Sequence, residues 1–232
     1  MIIDSHTHVG YEEETQKQTA EELIKSMDEG SIDKSVVFPF GPSTSKDQSY
    51  TEENKNIAQH KSHPRFIVFG RINQLSKDML DEVEKISSLD LKGIKMHTHR
   101  ASLTNLDPLF HKMNKFDLPL IVHTGHNDNS HVSTLKDIPF EGNIIIGHGG
   151  KDHFKEAIKL VNSRDNFFIE TSLLSLRRTK LIIDEVKDKS RILFGSDAPF
   201  HHPDLERKKI EYACDDKQLA RDILGNNIRK II

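Results

Sequence analysis

The sequence predicts an α/β protein, a single-domain (β/α)8 TIM barrel, and three observations carry that reading. Eight short apolar, β-branched runs alternate along the chain with amphipathic segments that have legible caps. The length of 232 residues suits one barrel unit. Residues able to do chemistry gather at one end of the runs, where barrel enzymes place their sites. A doubly wound sheet is the alternative the pattern leaves open. Residues 1–232 contain no linker, repeat or low-complexity tract, so one domain is the economical reading.

The expected strands are Ile2–Asp4, Ser35–Phe40, Phe66–Arg71, Gly93–His97, Leu120–His123, Asn143–Gly147, Phe167–Glu170 and Ile192–Gly195. Several lack polar alternation, which suits parallel strands covered on both faces. Between them, Thr19 and Glu22 form a capping box ahead of Leu23, Ile24 and Met27, with Gly30 as the stop. Thr51 is expected to cap a helix that ends before Pro64, and Ser76 one through Met79, Val83 and Ile86. A fourth helix runs from about Asn105 with Pro108 in its first turn, and residues 133–138 make a short helix at best. Asp152 and Ser175 are expected to cap the next two, and two or three helices close the chain from Asp204.

Composition narrows the class of function. With 35% hydrophobic and 30% charged residues this is an ordinary globular chain, and a net charge of −3 gives no reason to expect nucleic acid. No apolar run approaches the roughly 20 residues needed to span a bilayer, and no signal segment is evident, so no membrane partner is expected. Cys214 is the only cysteine, which excludes an intramolecular disulfide and fits a cytoplasmic protein. The expected partner is a small-molecule substrate. Many barrels of this kind form dimers, and a homodimer is the expectation.

The anomaly is histidine, present 14 times. His6, His8, His97, His99, His123 and His148 fall at expected strand C-termini, and His126, His131, His153, His201 and His202 in the loops beyond. Only His60, His63 and His111 fall on the helical side, a bias that scattered surface histidines would not show. In His6-Thr7-His8 the side chains at i and i+2 share one side of a strand and can converge on one metal ion. The strand ends also carry Lys95 and Asp197. Imidazoles with a carboxylate are a full ligand set for Zn²⁺ or a similar ion, which would lower the pKa of a bound water toward about 7.

In order, His6-Thr7-His8, His123, His148, Asp197 and the closing Ile223-Leu224-Gly225-Asn226-Asn227-Ile228-Arg229 resemble the amidohydrolase superfamily of metal-dependent hydrolases. Ile121-Val122-His123, Gly147-His148-Gly149-Gly150 and Leu193-Phe194-Gly195-Ser196-Asp197-Ala198-Pro199-Phe200 point to the branch that includes the aminocarboxymuconate-semialdehyde decarboxylase relatives. The resemblance runs from end to end. It implies that His6, His8, His123 and Asp197 hold a first divalent metal, most simply Zn²⁺, with one or two ions in the site. His148 would bind a second ion or hydrogen-bond the metal-bound water, and Asp197 would orient or deprotonate that water. Lys95 stands where binuclear members carry a carboxylated bridging lysine, although the decarboxylase-like branch generally works with one metal and lacks it. His97 and His99 would contact substrate or add a ligand; His99 matches the histidine of a Gly-Thr-His phrase found in that branch.

The leading expectation is therefore a metal-dependent hydrolase, with activated water attacking an amide, ester or lactone-like carbonyl and Asp197 and His148 as catalytic groups. The alternative is a lyase, a non-oxidative decarboxylase of an unsaturated or aromatic acid. That reaction calls for a carboxylate-binding arginine in the pocket; Arg71, Arg100 and Arg177 are the candidates, and Arg177 is the one assigned to substrate binding. A catalytically silent metal-binding scaffold is the third reading, and the full ligand set argues against it.

Overall fold

A computed structural model describes residues 1–13, 16–41, 47–99 and 101–232, with the side chains of residues 12 and 13 left aside. The chain is α/β. Strand β1 (Ile3–Glu13) turns into β2 (Gln16–Gln18), followed by α1 (Ala20–Glu29), β3 (Lys34–Pro39) and α2 (Thr51–Ala58). Then come β4 (Phe66–Val68), β5 (Gly70–Ile72), α3 (Met79–Ser88), β6 (Ile94–His97), α4 (Asp107–Met113), β7 (Leu120–His123) and β8 (Ile144–Ile146). The last part holds α5 (Phe154–Ser163), β9 (Phe167–Glu170), α6 (Leu176–Glu185), β10 (Ile192–Leu193), α7 (Pro203–Ala213) and α8 (Lys217–Arg221).

Two sheets form, in the orders β2-β1-β3-β4 and β10-β9-β8-β7-β6-β5. All pairings are parallel except the β1–β2 hairpin. The expected strand Phe66–Arg71 is broken at Phe69 because the chain changes partner there. Phe69 N donates to Val37 O at 2.9 Å, and Gly70 N donates to Gly93 O at 2.9 Å, so one segment joins both sheets. The outer edges are also linked: Ser5 N donates to Phe194 O, His8 N to Ala198 O, and Asp197 N to His6 O at 2.8–2.9 Å.

One apolar cluster takes inward residues from β1, β3 and β7 to β10, with Phe69 between β4 and β5: Ile3, Val36, Phe38, Phe69, Ile121, Ile145, Phe168 and Leu193. The alternate positions, such as Ile94, Met96, Leu120 and Val122, pack outward against the helices in a second cluster. Burying each such side chain contributes about 1.5–3 kcal/mol before the entropy of ordering is set against it. On β6 the inward positions are Lys95 and His97, so the alternation that builds the core also delivers the site.

Strand β1 runs to Glu13, far beyond the expected Asp4, because the hairpin with β2 extends its pairing. It is irregular between Asp4 and Thr7, where its register with β3 shifts. An extra residue reverses side-chain parity. That is how Ile3 and His6, an odd number of positions apart, come to rest on the same inner side, with the His6 ring 5.0 Å from the Phe38 ring.

The capping box at Thr19 and the cap at Ser175 form as expected. Three other caps shift. Tyr50 and Asp78 occupy the N-cap positions of α2 and α3 without side-chain bonds. Ser76 Oγ instead accepts from Asp78 N one step earlier, at 3.1 Å. His153 precedes α5, and the carboxylate of Asp152 turns outward to Arg178, at 2.8 Å, and to His126. No helix among the described residues is long and apolar enough to cross a membrane.

Candidate metal centre

The C-terminal strand ends surround a cavity of about 540 Å³, with His8, Lys95, His97, His99, His123, His148 and Asp197 in its wall. At its floor, Oδ1 of Asp197 lies 3.1 Å from Nε2 of His6 and 3.1 Å from Nε2 of His8. The three side chains are buried, and one donor atom from each falls within 4.8 Å of the others. Two buried imidazole nitrogens meeting one carboxylate oxygen are a donor set that fits a divalent cation. Nδ1 of His8 is buried without a partner among the described residues, so no contact on that edge fixes the ring's tautomer.

A second group, His6, His148 and Glu170, shares His6 but lies on the other edge of its ring. Nδ1 of His6 donates to Glu170 Oε1 at 3.0 Å. The same carboxylate accepts from Ser172 N at 2.6 Å, from Ser172 Oγ at 2.9 Å and from His148 N. Its oxygens are therefore occupied, and its effect is to hold His6 with Nε2 facing Asp197. Glu170 is a site residue that the sequence reading missed. A signal was there: it ends the apolar run Phe167–Glu170 as Asp197 follows the run that begins at Ile192.

His123 and His148 are joined by Nδ1 of the former and Nε2 of the latter at 2.9 Å, and Nδ1 of His148 lies 2.8 Å from Ser172 Oγ. His97 pairs in register with His123, and their rings stack at 3.9 Å. Asn127 Nδ2 donates to His99 O at 2.9 Å, which holds His99 at the rim. Lys95 Nζ is buried 3.1 Å from Nε2 of His6, over the Phe38 ring. His148 and Asp197 both adopt left-handed backbone, φ 58° and 64°. Non-glycine residues are held there only when the surroundings demand it, and such residues cluster at functional sites.

Burial shapes the charges. It lowers His8 to about 3 and holds His97, His123 and His148 well below 6.5, so these imidazoles are neutral and able to act as ligands. Burial also lowers the Lys95 amine to about 7. For Asp197 burial opposes ionisation, but His148 and His6 outweigh it and hold the carboxyl well below its ordinary range.

Of the three arginines considered, Arg71 enters the cavity wall. Its side chain is buried under the Tyr50 ring, with Nη1 donating to Pro39 O at 3.2 Å and Nε without a partner among the described residues. Asn54 fixes its backbone from both sides, accepting from Arg71 N at 2.7 Å and donating to Arg71 O at 2.8 Å. Arg177 instead sits exposed in the first turn of α6, away from the cavity wall. Arg100 lies outside the described residues.

The family model described as Amidohydrolase matches residues 3–232. The chain belongs to the amidohydrolase family. No curated protein matches it. Among solved structures, the family fold is shared with 5-carboxyvanillate decarboxylase LigW from Sphingomonas paucimobilis, at 15% identity and a TM-score of 0.77 over 99% of this chain and 98% of that one. It is shared with 2,6-dihydroxybenzoate decarboxylase from Rhizobium, at 16% identity and a TM-score of 0.78 over 99% and 98%. A dihydroxybenzoic acid decarboxylase from Polaromonas sp. JS666, with bound manganese and the inhibitor 2-nitroresorcinol, matches at 15% identity with a TM-score of 0.76 over 99% and 96%. At these identities the likeness is one of fold.

Proposed function

We propose that this amidohydrolase-family chain is a divalent-metal-dependent, non-oxidative decarboxylase of an unsaturated or aromatic carboxylic acid. The observation that carries the reading is Arg71, a buried cation in the wall of the cavity that holds the His–Asp cluster, its Nε without a partner among the described residues. A planar guanidinium suits a carboxylate. The decarboxylases among the solved structures of like fold favour this reading over the hydrolysis expected from sequence alone. We read the two sheets, joined at Phe69–Gly70 and along 3–8 beside 194–198, as arcs of one (β/α)8 barrel.

His6, His8 and Asp197 would hold the ion, with Glu170 orienting His6; His123, expected as a fourth ligand, is not in that donor group and bonds His148. When bound, it supplies a Lewis acid that polarises a substrate oxygen. Zinc suits the imidazoles; the manganese of the Polaromonas protein makes that ion the comparison to run. Arg71 anchors the acid, while Phe40 and Phe200 offer an apolar wall to its unsaturated body. The bond to the carboxyl carbon breaks, its electron pair stays on the substrate carbon, CO₂ leaves and a proton takes the vacated position. The His148–His123 contact is the route by which these neutral imidazoles bring that proton to the cavity. Lys95 and His97 line the floor, and His99 the rim, as further contacts to the substrate.

The test is incubation of the zinc- or manganese-loaded protein with a panel of hydroxybenzoates and unsaturated acids in D₂O. The expected result is one CO₂ per turnover and one deuterium on the vacated carbon. Turnover of esters, amides or lactones with no CO₂ from any acid would overturn the proposal in favour of hydrolysis.

A further inference from the structure

Outside the central cavity, donors from two separate segments meet where the loop after β7 touches the start of α5. His131 precedes a 3-10 turn over Val132–Leu135. Its Nδ1 lies 2.8 Å from Ser133 Oγ and accepts from Ser133 N at 3.1 Å, which turns Nε2 away from its own loop. That Nε2 stands 3.6 Å from Oε2 of Glu156. His153 and Glu156 are three residues apart at the head of α5 and so share a side of the helix. The His153 ring lies 3.7 Å from the His131 ring. One donor from each of the three falls within 4.8 Å of the other two.

Two ligands on one tetrahedral zinc, each bound at about 2.0–2.1 Å, stand roughly 3.3 Å apart. The His131–Glu156 spacing is already close to this, and a ligand nitrogen of His153 lies within 4.8 Å of both. A neutral His131 that binds through Nε2 must carry its proton on Nδ1, where Ser133 Oγ accepts it in place of the bond from Ser133 N. Ser133 Oγ, 2.8 Å from that nitrogen, is in place to orient a metal-binding imidazole once the proton moves to Nδ1.

We propose that His131, His153 and Glu156 form a peripheral zinc site, separate from the central cluster, that fastens the loop after β7 to α5. The site does not depend on the reaction assigned to the cavity, because none of its residues lines that cavity among the described residues. The test uses the full chain in an Asp197→Asn background, which disables the central cluster. After chelator treatment and Zn²⁺ titration, this variant is expected to retain one zinc equivalent after dialysis and to show a Zn²⁺-dependent rise in Tm. Adding His153→Ala removes both effects, and so does the near-isosteric Glu156→Gln, with circular dichroism unchanged in each. With Co²⁺ in place of zinc, the visible band follows the same pattern. Equal metal uptake with and without His153 and Glu156 would overturn the proposal, as would no uptake at all in the Asp197→Asn protein.

Discussion

Nδ1 of His6 donates to Oε1 of Glu170 at 3.0 Å, across 164 residues of sequence and in full burial. This bond decides which edge of the His6 ring faces Asp197. Removing it should leave the fold standing and loosen the metal centre. Glu170→Gln is expected to lower metal affinity and turnover about 10–100-fold. Competition titration with a chromophoric chelator measures the first, and circular dichroism verifies the fold. Undiminished affinity would deny Glu170 its orienting role.

Gly195 makes room for that pair. A Cβ there would stand 2.5 Å from Oε2 of Glu170 and 3.0 Å from Cβ of His6. Both neighbours are locked by burial and hydrogen bonds, so neither can give way freely. Gly195→Ala should cost about 1–3 kcal/mol, as overpacking does in closed cores. Urea unfolding reads the stability, and metal affinity should fall in parallel.

Arg71 is expected to act on binding more than on the barrier, because the departing CO₂ is neutral and gains nothing from the guanidinium. Loss of a charge-assisted bond is worth about 1.5–3 kcal/mol, or roughly a 10- to 150-fold rise in KM at 1.4 kcal/mol per decade. Arg71→Met should therefore raise KM for the acid and change kcat much less, while Arg177→Met leaves both alone. The reverse pattern in steady-state kinetics would place the anchoring charge on α6.

The metal-free protein should be sensitive to acid. His8, His97, His123 and His148 have folded values below their ordinary 6.5, so below that pH the unfolded chain binds more protons. Their contribution is fully present above pH 6.5 and is lost as the pH falls. Asp4, Glu82 and His6 act in the opposite sense: burial raises the two carboxyls to about 7, and Asp197 and Glu170 overcome burial to raise His6, so in each case stability falls as pH rises between the ordinary and the folded value. Four lowered imidazoles outweigh these three groups, and the urea midpoint is expected to drop between pH 6.5 and pH 5. His97→Phe keeps a ring against His123, removes one titrating group and should flatten the slope. A midpoint that climbs toward pH 5 would contradict the balance.

The candidate site's places along the chain are legible in the sequence alone. Strand runs such as Leu120–His123 and Phe167–Glu170 are local, continuous apolar runs, and their boundaries match those in the structure. Histidines at the ends of such runs must project from one side of a parallel sheet. Tertiary structure decided the rest, because register, parity and burial are long-range. Pairing of β6 with β7 stacks His97 on His123; the irregularity in β1 turns His6 inward beside Ile3. Packing of β9 beside β8 and β10 brings Glu170 under His6, which strand-end position alone hinted at. Only the fold separates Arg71, buried against Tyr50 in the cavity wall, from Arg177 in solvent on α6.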